Sequence, residues 1–165
     1  MGSLNQKIEA YSGMVRQGDL PAAYRGIMEF MSQLRMAFAA SDSALEVGGS
    51  IYQGYMDMTY FSLNTELLKE KGLKIAVVYL HDKNAFEAWL SARNRTILSD
   101  YKAIFADAIL DEVEVFHDET NPDAALECLL AGSPDFDHQE KLIAELISGT
   151  EAFVAAVQKI IAKSA

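Results

Sequence analysis

The chain is expected to fold as an α+β domain: an N-terminal helical hairpin, a three-stranded antiparallel meander, a fourth strand after a crossover helix, and C-terminal helices packed on a mixed sheet. Three observations predict it. Apolar residues recur at helical spacing through the first forty positions, the period drops to two between Ile51 and Arg93, and helical spacing returns from Asn94 onward. At 165 residues, half of them apolar, the chain has the size of one domain with a single core.

The first helix carries Leu4, Ile8, Tyr11 and Val15 at helical spacing. Ser3 with Gln6 has the form of a capping box, and Gly18 supplies a left-handed stop. Asp19 is suited to cap the second helix and Pro21 to sit in its first turn. Tyr24, Ile27, Met28, Met31, Leu34 and Phe38 form its apolar stripe, in which the methionines read as core filler before they read as an adaptable groove. A connection with Gly and Ser follows over residues 41–50.

Residues 51–63 alternate as one strand. Tyr52, Gly54, Met56, Met58 and Tyr60 lie on one side, with Ile51, Gln53, Tyr55, Asp57, Thr59 and Phe61 on the other. Asn64 and Thr65 open a short helical turn that ends at Gly72. Residues 73–80 are a nearly continuous apolar, β-branched run, as in a strand covered on both faces. His81, Asp82, Lys83 and Asn84 form a turn, and residues 85–92 read as the returning strand, with Glu87, Trp89, Ser91 and Arg93 on one side. A helix starting at Asn84 fits the same residues through Phe86, Leu90, Arg93 and Ile97. The strand is preferred because residues 73–80 otherwise lack a local partner. A helix over 94–108, a short strand over 112–117, a helix over 122–131 capped by Asn121, and a long helix opened by Asp137 and Glu140 complete the order. Gly149 is a candidate kink in that last helix.

Charge narrows the partners. Residues 1–109 hold 11 basic and 12 acidic side chains and residues 110–165 hold 3 and 12, so the net charge of −10 divides into −1 and −9. Nucleic acid is an unfavourable partner for so acidic a half, because backbone binding needs several Lys and Arg contacts. No window approaches the roughly 20 apolar residues of a membrane span, and nothing near Met1 reads as a leader. With Cys128 as the single cysteine, the expectation is a soluble cytoplasmic protein whose thiol is a core filler.

No cofactor or metal is expected. His81, His117 and His138 are not spaced as ligands on one helix face, and no Gly-x-Ser-x-Gly elbow or phosphate loop occurs. What stands out is aromatic and Arg clustering. Tyr55, Trp89 and Arg93 on one sheet face have the residue types that anchor interfaces and line pockets. That face is expected to bind a partner protein or a small ligand, with a homodimer as one form of partner.

Two resemblances bear on this. The run from Tyr52 to Phe61, with Phe86-Glu87-Ala88-Trp89-Leu90 and Arg93-Asn94-Arg95, resembles a family of small bacterial proteins of unknown function, and so implies no activity. In topology alone, the helix, three strands, helix and strand are similar to the core of the nuclease superfamily whose metal site uses an Asp and a Glu-x-Lys on adjacent strands. That likeness would make Asp57 and Glu87 the carboxylates of a diverged metal-dependent enzyme. Trp89 occupies the lysine position, leaving Arg93 or Lys74 as replacements. The alternative role for Asp57, Glu87 and Arg93 is a structural ion-pair network on the sheet.

Overall fold

The computed structural model describes residues 1–164, which form five helices and a six-stranded sheet. Helix α1 (Leu4–Gln17) starts on the predicted capping box, with Gln6 N–H donating to Ser3 Oγ and Ser3 N–H to Gln6 Oε1, and it ends at Gly18 in the left-handed region. Helix α2 (Asp19–Ala40) buries Phe30, Met31, Leu34 and Phe38 as its stripe requires. Gly18 rather than Asp19 is its cap residue. The stripe of α1, in contrast, buries nothing.

Where one long strand was expected there is a hairpin, β1 (Glu46–Tyr52) and β2 (Met58–Asn64). Gly48 and Gly49 looked like linker because an edge strand with an irregular register tolerates them. Residues 53–57, whose alternation read as strand, form the turn. Gly54 there has φ +74, and a Cβ on it would lie 2.0 Å from the Met58 carbonyl oxygen, so no larger residue fits.

Thr65 caps the short helix α3 (Glu66–Glu70), accepting from Leu68 N–H while its hydroxyl donates to Gln158 Oε1 at 2.6 Å. Strands β3 (Leu73–Leu80) and β4 (Ala85–Ala92) pair over their full predicted lengths, from Leu73 opposite Ala92 to Leu80 opposite Ala85. The competing helix over 85–92 therefore does not form. Asn94 then caps α4 (Arg95–Phe105), which crosses to the two-residue edge strand β5 (Val115–Phe116).

The segment expected as a helix over 122–131 is instead β6 (Leu126–Gly132), inserted between β4 and β5 in the order β1-β2-β3-β4-β6-β5. Leu, Glu and Ala favour helix locally, but two open strand edges outweigh that preference. Since β6 separates β4 from β5, every adjacent pair is antiparallel and the sheet is not mixed. A single C-terminal helix, α5 (Gln139–Lys163), follows. It starts after His138 without the expected Asp137–Glu140 box, and Asp135 instead binds Asp137 N–H and the His138 ring. Gly149 serves close packing: a Cβ there would approach Leu130 Cδ2 to 3.1 Å.

Helices α2 to α5 send their buried side chains into one apolar cluster against Phe61, Leu63, Ile75, Val77, Phe86, Ala88, Leu90, Leu126 and Cys128. That is one face of the sheet. Alternate residues of the same strands form the other, where a smaller cluster joins Ala76, Val78, Trp89 and Ala124 with Met58, Tyr60 and Leu80. Among the described residues, no helix is long and apolar enough to cross a membrane.

Candidate binding groove on the open sheet face

Strand register decides what meets on the helix-free face. Tyr60 lies opposite Val78 and Val78 opposite Glu87, while Ala76 lies opposite Trp89 and Trp89 opposite Glu127. These residues therefore project to one side, and Tyr52 joins them opposite Tyr60, with ring centroids 5.1 Å apart. Between this aromatic pair and Trp89 runs a groove of about 400 Å³, lined by Tyr52, Met58, Tyr60, Lys74, Ala76, Trp89, Ser91, Ala92 and Asp123.

One wall of the groove is anchored by a polar network. Trp89 is only 6% exposed, and its Nε1–H donates to Glu87 Oε1 at 2.9 Å. The indole is thus held edge-on by its own strand neighbour two residues away. The connection between β5 and β6 folds over the Trp89 end of the face: Ser91 Oγ donates to the Asp123 carbonyl and Ala125 N–H to the Leu90 carbonyl, both at 2.7 Å. Asp118 N–H and Asn121 Nδ2 donate to the Glu127 carboxylate at 2.7 and 3.5 Å.

Two carboxylates are consequently buried under this loop, Glu87 at 4% and Glu127 at 2% exposure. Burial pushes the Glu127 carboxyl up to about 7. The charges of Asp118 and Glu87 add to the rise, while the Asp118 N–H and Lys102 oppose it. The nearest cation to Glu87 is Lys83, whose Nζ stands 3.9 Å from Oε2. Lys74, half-buried in the groove, has no carboxylate within 4 Å among the described residues.

The residues singled out from sequence divide sharply. Glu87 and Trp89 share the expected face, but as a buried pair. Tyr55 sits in the β1–β2 turn, 91% exposed and outside the groove. Asp57 is in the same turn, where its Oδ1 accepts from Tyr55 N–H. The N–H groups of Tyr55 and Met58 hold its carboxyl below the usual range. Arg93 lies past the end of β4 beside Gly72, whose carbonyl accepts its N–H, and its side chain is exposed. The expected common face of Gln53, Tyr55 and Asp57 with Glu87, Trp89 and Arg93 does not exist, because the first three are not in a strand.

The carboxylate pair of a nuclease-like site is not assembled either. Asp57 adjoins Met58 on β2, Glu87 lies on β4, and β3 runs between them. No group of three or more His, Cys, Asp or Glu that could hold a metal occurs among the described residues. The histidines are each occupied: His81 with Thr59, His117 with the Phe105 carbonyl, His138 with Asp135. The groove residues that sequence reasoning passed over, Tyr52, Met58 and Tyr60, were visible as one alternating set. Sequence alone places that set on the other face from Glu87 and Trp89, because the alternate set, with Gln53, Asp57 and Thr59, carries the polar residues.

No curated protein and no solved structure matches the chain. A family model described as a domain of unknown function, DUF7000, matches residues 4–161, nearly the whole of the 165. The chain belongs to this DUF7000 family.

Proposed function

We propose that the chain is a non-catalytic binding domain whose open sheet face takes a small amphipathic ligand with an acidic group. The observation that carries this reading is Lys74, an ammonium without a carboxylate partner in a groove walled by Tyr52, Tyr60, Met58 and Trp89. In a chain with 24 acidic and 14 basic side chains, a partly buried lysine left without an acid is set for a charge from outside. The volume falls in the range of roughly 300–1,000 Å³ typical of small-molecule sites, and largely apolar walls with a few polar groups, Lys74, Ser91 and Asp123, match their usual chemistry. The ligand's apolar body would lie across Ala76 between the tyrosine pair and the indole, with its acid at Lys74. Trp89 acts as a fixed wall, because Glu87 already holds its N–H.

The test is calorimetric titration with phenylacetate, indole-3-acetate and hexanoate, each against its neutral amide. The acids are expected to bind and the amides to bind much more weakly. Lys74→Met should weaken acid binding by roughly 10- to 100-fold, the loss of one charge-assisted hydrogen bond. Equal binding of acid and amide, or an unchanged affinity in Lys74→Met, would remove the reading.

A further inference from the structure

Helix α1 is a 14-residue helix that buries no side chain, and none of its residues joins either apolar cluster. Helices of about 12–15 residues are marginal in water without tertiary packing. Its apolar residues are nonetheless arranged for packing. Leu4, Ile8, Tyr11 and Val15 follow a 4-3-4 spacing, the narrow seam of a two-helix coiled coil instead of the broad stripe that α2 lays on the sheet. All four are exposed, from 72% at Leu4 to 39% at Val15.

We infer that this seam is an interface between two copies of the chain, closed by α1 packing antiparallel on its symmetry mate. A twofold axis midway between Ile8 and Tyr11 makes the seam complementary to itself: Leu4 meets Val15 of the second copy, and Ile8 meets Tyr11 of the second copy. A twofold contact sets a patch against itself, so the patch must not repel itself. Helix α1 carries Lys7, Glu9 and Arg16, a net of +1, and the remainder of the chain therefore carries −11. The positions flanking the seam are Asn5, Lys7, Ser12 and Met14, with no carboxylate among them. Two strongly acidic bodies can meet through this helix without bringing acid against acid. The same −11 works against an anionic membrane surface as the occupant. Four layers form an interface below the ~1,600 Å² of a standard complex, so the dimer is expected to dissociate in the micromolar range.

The experiment is sedimentation equilibrium of the full chain from low-micromolar to sub-millimolar concentration. Wild type should pass from monomer to dimer, and Ile8→Glu with Tyr11→Glu should stay monomeric with an unchanged cooperative melt of the sheet domain. A second arm separates loss of the interface from loss of the helix. Chains with Ile8→Cys mixed with chains with Tyr11→Cys should cross-link under mild oxidation faster than either variant alone. Cys128 does not compete, because it is buried and burial pushes its thiol up to about 11. A wild type that stays monomeric throughout, or a dimer that persists in the double Glu variant, would overturn the inference. So would a monomer that binds phosphatidylcholine–phosphatidylglycerol vesicles through α1, or like-with-like cross-links forming as fast as the mixed pair.

Discussion

The two faces of the sheet are built from alternate residues of the same strands, yet they are opposite in chemistry. The helix-covered face holds Phe61, Ile75, Val77, Phe86, Leu90 and Leu126 and carries no carboxylate or ammonium. The other places Lys74, Glu87 and Glu127 among Ala76, Val78 and Trp89, with only a loop over one end. Burying a carboxylate opposes folding unless it is well paired, and apolar residues of similar size would serve packing as well or better. Under the proposed reading, the two kept beside the groove serve recognition on that face rather than stability. The contrast separates the side of the strands that packs against the helices from the side that holds the groove.

The largest expected effect lies on the covered face. Phe86 is fully buried, with ring centroids 5.6 Å from Phe30, 4.9 Å from Tyr79 and 6.0 Å from Phe136. Phe86→Ala should cost ~3–5 kcal/mol, read from urea unfolding. A cost below ~2 kcal/mol would mean the aromatic cluster closes over the cavity and the covered face is less decisive than its packing implies.

A smaller effect, with a sign of its own, comes from Glu127. In the fold its carboxyl holds a proton up to about pH 7, against an ordinary value of 4.5 when unfolded. Between these values the native state binds more protons than the unfolded state, so stability is lost as pH rises from about 4.5 to 7 and levels off above. A shift of this size is worth at most about 3 kcal/mol. Glu127→Gln keeps an acceptor for Asp118 N–H and abolishes the titration. It should flatten the slope and be the more stable protein at pH 8. His81, whose partly buried ring sits below its ordinary 6.5, contributes an opposite slope below that value, but it does so in both proteins and cancels in the difference. Parallel pH profiles for the two proteins would show that Glu127 does not titrate in this window.

How far the sequence disclosed this contrast depended on whether local pattern and long-range pairing agreed. Strands β3 and β4 were legible to the residue, because a β-branched run and the alternating Phe86, Ala88 and Leu90 flank an Asp-Lys-Asn turn and each strand is the other's local partner. β6 was not. Leu126, Leu129 and Leu130 have no period of two, and their strand state comes from the two edges they fill. The site was half legible for a related reason. Glu87 and Trp89 could be placed on one face by counting along β4, but Tyr55, Asp57 and Arg93 could not be excluded from it. What removes them is a tight turn at Gly54 and the end of a strand, and neither leaves a mark in hydrophobic period. The buried carboxylate pair escaped notice because Glu127 lay in a segment read as helix.

The smallest effect tests whether the open face is organised around Trp89 or merely contains it. Trp89→Phe keeps the aromatic wall and removes one donor, leaving Glu87 Oε1 without its 2.9 Å partner in a buried setting. The expected cost is ~1–2 kcal/mol, an unpaired buried acceptor offset by partial rehydration through the groove. Because Trp89 is the only tryptophan, unfolding must be followed by circular dichroism instead of fluorescence. Combining the change with Glu87→Leu closes a double-mutant cycle in which the phenyl ring no longer faces an orphaned acid. A coupling near 1 kcal/mol would place the energy in the indole–carboxylate bond, so that Glu87 is retained to hold the wall of the groove. Additive costs would instead mean that the indole contributes by contact area alone, and the two faces would then differ in their charges but not in how their aromatic residues hold the sheet together.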